Sequence, residues 1–145
     1  MGTFTEQEAA FLGADGVGRL ATLSRDGAPA LAAIRYQVRE NNDGTTEIVI
    51  PGFGMKHSAK FHNVGRDGRV AFLVDGPGTG SGRSVQFIQI RGSASTESDD
   101  EGDRIVIKPE RIISFNVNQE YSDAHESEYD TRVVGGERTL RRVQA

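Results

Sequence analysis

Short runs of β-branched and aromatic residues, each closed by a glycine-, asparagine- or proline-centred turn, recur through the first 115 residues of the chain. Gly18-Arg19-Leu20-Ala21-Thr22-Leu23-Ser24 is the first such run, and Asp26-Gly27 behind it supplies the positive φ angles of a tight hairpin turn. A return strand is predicted over 30–38, the cluster Asn41-Asn42-Asp43-Gly44 turns the chain again, and a third strand follows over 46–50. Three strands joined by two short turns make an antiparallel meander. Further strands are predicted over 69–75, 85–94, 104–107 and 111–115, with a bend near Gly92, a break at Pro109 and an acidic loop over 97–103. Helical signals are few. Thr5-Glu6-Gln7-Glu8 has the form of a capping box that opens a helix to about Leu12, and 55–64 reads as a second short helix. Six or more short strands with so little helix predict a small β-barrel.

The length of 145 residues suits one domain, and no internal repeat divides it. The barrel is expected over 1–116. The stretch 117–145 is polar apart from Arg132-Val133-Val134, and is expected to be partly disordered or to be ordered against a partner subunit. Residues 76–82 hold four glycines and read as a strand connection. A phosphate-loop reading fails there, because no Lys-Ser/Thr pair and no helix follows.

Composition narrows the chemistry. The chain has no cysteine, so thiolate metal sites, disulfides and a cysteine nucleophile are excluded. Its three histidines lack zinc-ligand spacing, and no metal site is expected. A net charge of -4 argues against a nucleic-acid partner. No apolar run reaches the roughly 18 residues of a membrane span, so a cytoplasmic protein is expected. Between Lys56 and Arg91, however, six cations face only two acids. That segment suits a small anion such as a phosphate, or is a solvated face.

Within it, Met55-Lys56-His57-Ser58-Ala59-Lys60-Phe61-His62-Asn63 carries the most suggestive pattern. On one continuous helix Lys56, Lys60 and Asn63 share a face, and Ser58 sits where free backbone N–H groups can join a hydroxyl around phosphate oxygens. Two lysines on one stripe repel unless an anion or solvent separates them. Both readings stand on these residues alone.

Six segments in this order resemble a known family: Gly18–Leu23, Asp26-Gly27, Lys60-Phe61-x-Asn63, Arg69–Asp75, Ile90-Arg91-Gly92-Ser93-Ala94 and the stretch from Ile107 through Pro109 to Ser114. The chain is similar to the pyridoxamine-phosphate-oxidase-like proteins, the split β-barrels that bind flavin or deazaflavin. Within them it looks most like the coenzyme F420-dependent branch, which includes the reductases that finish tetracycline biosynthesis. The resemblance implies a six-stranded antiparallel split β-barrel that forms a homodimer, with cofactor grooves at the subunit interface. It assigns Ser58 and Lys60 to the cofactor phosphate, with Asn63 completing the motif and Lys56 beside it. The second strand would line the cofactor ring, and its Arg35 either meets an acidic tail or substrate or points to solvent.

Departures from the family pattern accompany these matches. Relatives often carry tryptophan after the fourth strand and a Ser-Trp-Gly near the end, where this chain has 76–84 and Ser114-Phe115-Asn116. His62 stands where the branch often has arginine. The activity implied is F420H2-dependent hydride transfer to the β-carbon of an enone-type small molecule such as a polyketide in antibiotic biosynthesis. Tyr36 and His57 are the proton-donor candidates, and Arg35, Arg66 and Arg69 are candidates for a cationic exit groove. An FMN-dependent oxidoreductase of the same fold and a non-catalytic cofactor carrier are the alternatives.

Overall fold

The alternation that marks the strands in the sequence becomes the wall of a barrel in the computed structural model, which describes residues 2–77, 85–118 and 126–144. Strands β1 (Asp15–Leu23), β2 (Pro29–Glu40) and β3 (Thr46–Pro51) form the expected meander. Gly27 and Gly44 hold the two turns at φ 86°, where a side chain would be strained. Strand β4 (Arg69–Pro77) pairs back on β1, β5 (Val85–Asp99) pairs on β4, and β6 (Gly102–Phe115) pairs on β5. Strand β6 then meets β3, from Ile48↔Ile107 to Pro51↔Arg104, and closes six antiparallel strands into a barrel. Most of the expected glycine-rich connection at 76–82 lies outside the described residues.

The barrel is filled from every strand. Leu20, Tyr36, Ile48, Ile50, Phe72, Ile88, Ile90, Ile105, Ile107 and Ile112 are almost wholly buried. Gly18 occupies an inward position of β1 because the Phe72 ring fills the space: a Cβ there would lie 2.4 Å from the ring's Cζ. Tyr36 meets Phe72 edge to face at 5.3 Å, a favoured aromatic geometry.

Two sequence expectations are corrected here. The acidic loop over 97–103 is mostly strand, since β5 continues to Asp99 and β6 starts at Gly102. The two short strands separated by Pro109 are one strand with a β-bulge: Arg91 pairs Arg111 and Gly92 pairs Pro109, so Glu110 is the extra residue. The bulge has a packing consequence. Strand side chains alternate, so Ile105 and Ile107 cannot share a face with Ile112 and Ser114 unless one residue is inserted between them. Glu110 is that insertion, and all four are buried.

The seam between β3 and β6 is braced outside the barrel. Val49 pairs Val106, and both are buried although they point away from the interior. On that outer face Arg39 bonds Glu47 (3.0 Å) and Glu97 (3.1 Å), and Arg104 bonds Glu97 (3.2 Å) and Asp99. The Arg39 hydrogen bonds, reinforced by Arg104, hold the Glu97 carboxyl below its ordinary range.

Helix α1 (Glu6–Leu12) begins with the predicted capping box, Glu8 N–H donating to Thr5 Oγ1 and Thr5 N–H to Glu8 Oε1. Within the stretch expected to be partly disordered or ordered against a partner subunit, residues 126–144 are described and form strands. Strands β7 (Glu126–Val133) and β8 (Thr139–Gln144) extend the sheet outside the barrel from the edge of β6. The inward positions of β7 are polar, but they are paired. Arg132 forks onto Glu8 (3.0 and 2.5 Å) and donates to the Thr3 carbonyl (2.9 Å). Asn118 donates to Glu8 (2.8 Å) and Asp130 (2.9 Å), and Ser114 donates to Glu8 (3.1 Å). A buried charge network therefore ties α1 to β7.

Candidate functional site

The segment after β3 is shaped by two anchors. Met55 is buried in the core and opens a single 3₁₀ turn, Met55–His57, entered through Gly54 in the left-handed region. Ser58 then breaks the helix with extended backbone (ψ 149°) and caps helix α2 (Ala59–Arg66), accepting from the Phe61 N–H (3.3 Å). Its own hydroxyl proton goes to the Met55 carbonyl (2.7 Å). Lys56 and Lys60 therefore stand on different turns. The shared lysine face expected from the spacing requires a continuous helix, and the Ser58 cap interrupts it.

Asn63 is corrected as well. It lies on the buried side of α2, donating to Thr22 Oγ1 (3.0 Å) and accepting from Arg66 (2.8 Å). Arg66 also donates to the Leu23 carbonyl (3.0 Å), so both residues fasten the helix to β1. Arg69 is paired with Asp67 (2.7 Å), whose carboxyl its guanidinium holds down at about 2. Arg66 and Arg69 thus have partners within the chain, whereas Arg35 has no ion pair or hydrogen bond among the described residues. The three do not form one cationic groove on the contacts observed.

What remains at the start of α2 is compact. Lys60 is half-buried and has no ion pair or hydrogen bond from its ammonium among the described residues. The N–H groups of Ala59 and Lys60 lie in the first turn, where no helical carbonyl can receive them. One ammonium and two backbone donors at a helix N-terminus form a set that suits phosphate oxygens. Ser58 contributes by fixing that turn, since its hydroxyl already donates elsewhere. His57 and Lys56 are exposed on the preceding turn, and His62 is exposed on α2.

Arg35 and Tyr36 are strand neighbours and must face opposite ways. Arg35 is exposed and lines an open groove of about 900 Å³ with Gln37, Val49, Pro51, Phe53 and Arg104. Pro51 and Phe53 precede the turn at Met55 in the chain, but Ser58 and Lys60 do not line this groove. Tyr36 is buried, and its hydroxyl donates to the Leu12 carbonyl (2.7 Å). Burial, with a contribution from Asp15, raises its pKa. As a proton-donor candidate it is corrected: it is a core residue that ties β2 to α1. Tyr36→Phe is expected to cost about 1–2 kcal/mol in urea unfolding, because the Leu12 carbonyl loses its buried donor.

An outer-face feature escaped the sequence reading. Phe87, Phe115 and Tyr129 lie side by side on β5, β6 and β7, with Phe87 and Phe115 stacked at 5.4 Å and 7°. Each looks isolated in the sequence, and only strand register brings them together.

The pyridoxamine 5'-phosphate oxidase family model matches residues 4–134, which takes in all six barrel strands, both helices and β7. The chain belongs to that family. A family relative, the 5a,11a-dehydrotetracycline/5a,11a-dehydrooxytetracycline reductase of Streptomyces rimosus, is 32% identical over 143 residues, covering 93% of this chain and 99% of the relative. Solved structures share the fold. A conserved hypothetical protein of Mycobacterium tuberculosis superposes with TM-score 0.61 at 24% identity, over 77% of this chain and 84% of its own. A heme binding protein of Mycobacterium smegmatis gives TM-score 0.61 at 16% identity, over 90% of this chain and 57% of its own. An FMN-binding pyridoxamine 5'-phosphate oxidase-related protein of Nostoc punctiforme gives 0.58 at 10% identity, over 96% and 91%. Family membership and the reductase relative identify an oxidoreductase of this fold. Among the described residues no helix is long and apolar enough to cross a membrane.

Proposed function

We propose that the protein is a cytoplasmic F420H2-dependent reductase of an enone-type, fused-ring polyketide in antibiotic biosynthesis. The observation that carries this reading is the end-to-end correspondence with a dehydrotetracycline reductase, with almost none of that relative left unmatched. The start of α2 supports it, because Lys60 and the N–H groups of Ala59 and Lys60 fit the phosphate of such a cofactor. FMN carries a phosphate of the same chemistry and is the alternative at this site. Homodimer formation belongs to the same proposal. Val17 and Leu31 stand exposed on the outer face of β1 and β2, with Arg19 and Arg35 on the same face between and beside them, as a mixed apolar and cationic surface offered to a second copy.

The reduced cofactor, when bound, supplies a hydride, and the enone gains it together with one proton. The chain's own part is placement. Lys60 and the α2 N-terminus hold the phosphate end, and Arg35 stands free on the groove wall for an anionic group. Tyr36 has no path to the substrate from inside the barrel. The proton therefore comes from solvent or from the exposed His57.

Lys60→Ala tests the reading. Titration with F420, and separately with FMN, followed by cofactor fluorescence, should show affinity weakened roughly 10- to 100-fold, the scale of a charge-assisted hydrogen bond. The urea midpoint should stay at the wild-type value. Unchanged affinity would remove Lys60 from the phosphate site. Tighter binding of FMN than F420 would select the flavin alternative, and binding of neither would select a non-catalytic module.

A further inference from the structure

We infer that the C-terminal turn of α2 carries a second anion site, separate from the phosphate set at the start of that helix, which takes a phosphate monoester. An open cavity of about 410 Å³ lies between α2, the β1–β2 turn and β5. Arg25, Phe61, His62, Gly65, Arg66 and Thr96 line it, whereas Ala59 and Lys60 do not.

The charge of this cavity is one-sided. Two guanidiniums and an imidazole line it, and no acid among the described residues does. The acids that adjoin the lining residues in sequence are engaged elsewhere. Asp26 accepts from the Ser24 hydroxyl (2.7 Å) and the Ala28 N–H (3.0 Å). Asp67 pairs with Arg69 (2.7 Å), and Glu97 with Arg39 (3.1 Å) and Arg104 (3.2 Å). Arg25 has no ion pair or hydrogen bond among the described residues. Arg66 is held by neutral oxygens, the Leu23 carbonyl (3.0 Å) and the Asn63 amide (2.8 Å), so it is positioned while its charge stays unmatched.

Gly65 points the same way. It sits inside α2, where glycine is disfavoured, yet its φ is not positive. Nothing lies within 4 Å of a Cβ there, so neither packing nor backbone geometry requires a glycine. A side chain would instead enter the cavity that Gly65 lines, between His62 and Arg66. The donors suit a doubly charged oxyanion. Guanidinium N–H groups bind phosphate oxygens in pairs, and imidazole offers an N–H in either protonation state. The Thr96 hydroxyl has no partner among the described residues and can join them. Half-buried Phe61 gives the organic part of an ester an apolar wall.

The test titrates the full chain with phenyl phosphate, and separately with inorganic phosphate, at constant ionic strength. The backbone amide resonances of Gly65 and Thr96 are followed by NMR and should move together on one isotherm. Phenyl phosphate should bind more tightly than inorganic phosphate, and the reverse order overturns the ester. Arg25→Ala, on an exposed turn, should weaken phenyl phosphate about tenfold. Gly65→Glu places a carboxylate in the cavity and should abolish binding. Lys60→Ala should leave the isotherm unchanged. Resonances that stay still in wild type, or wild-type affinity in Arg25→Ala or Gly65→Glu, overturn the site. So does a matching loss in Lys60→Ala, which would make this the phosphate set already described. Titration of Arg25→Ala with F420 separates the two sources of such a group. Unchanged F420 affinity, or no F420 binding by either protein, leaves a ligand distinct from the cofactor. A loss equal to that for phenyl phosphate would give the cavity to the cofactor's own anionic end and overturn the inference.

Discussion

Arg132→Ala is expected to lower folding stability by about 3–5 kcal/mol, because it leaves the Glu8 carboxylate buried without its cation. Burial alone would raise the Glu8 pKa. The Arg132 hydrogen bonds, the Thr5 N–H and the Asn118 amide together outweigh it and lower the value. Glu8 therefore stabilises the fold fully above the unfolded carboxyl pKa, about 4.3, and that contribution is lost as pH falls through the lower folded value. In urea the Arg132→Ala midpoint should fall by roughly 2 M for a slope near 2 kcal/mol/M. Glu8→Gln should flatten the acid limb of the stability curve. Arg132→Lys keeps the charge without the two-pronged fork, and should fall between wild type and alanine. A wild-type midpoint for Arg132→Ala would show that the network carries no weight.

Gly92→Ala is the second substitution with a large expected cost. A Cβ at this position would lie 2.2 Å from the Lys108 carbonyl oxygen and 3.0 Å from its carbon. Both are backbone atoms of the bulged strand, so no side-chain rotation relieves the clash. The bulge would have to open, and with it the register that puts Ile105, Ile107 and Ile112 on one face. A loss of about 3 kcal/mol is expected, the upper end for overpacking. Gly65→Ala is the control, since nothing lies within 4 Å of a Cβ there. Thermal unfolding of the two variants side by side checks the difference.

The barrel strands were legible because their inward residues are apolar and alternate. Strand β7 was not, and the reason is physical. Its inward residues Glu128, Asp130 and Arg132 are buried charges, and Arg132 is matched by a residue 124 positions earlier. Polarity reads as exposure unless the distant partner is known. Pro109 read as a strand break for a related reason: a bulge tolerates it, and only the parity of Ile105, Ile107 and Ile112 betrays the insertion. At the candidate site, residue types pointed to Lys60 and Ser58, whereas helical spacing misplaced Lys56 and Asn63. A capping serine ends one turn and starts another, so a seven-residue stripe was never formed. Tyr36 was a proton-donor candidate on chain position alone, and strand alternation places it opposite to its exposed neighbour Arg35.

The Glu8–Arg132 latch also bears on the order in which the molecule is made. Helix α1 is synthesised early, yet the guanidinium that neutralises its inward carboxylate arrives only when residue 132 leaves the ribosome. Until then Glu8 is an unmatched acid whose hydration opposes docking of α1. Synthesis of β7 thus sets the moment at which α1 can seat.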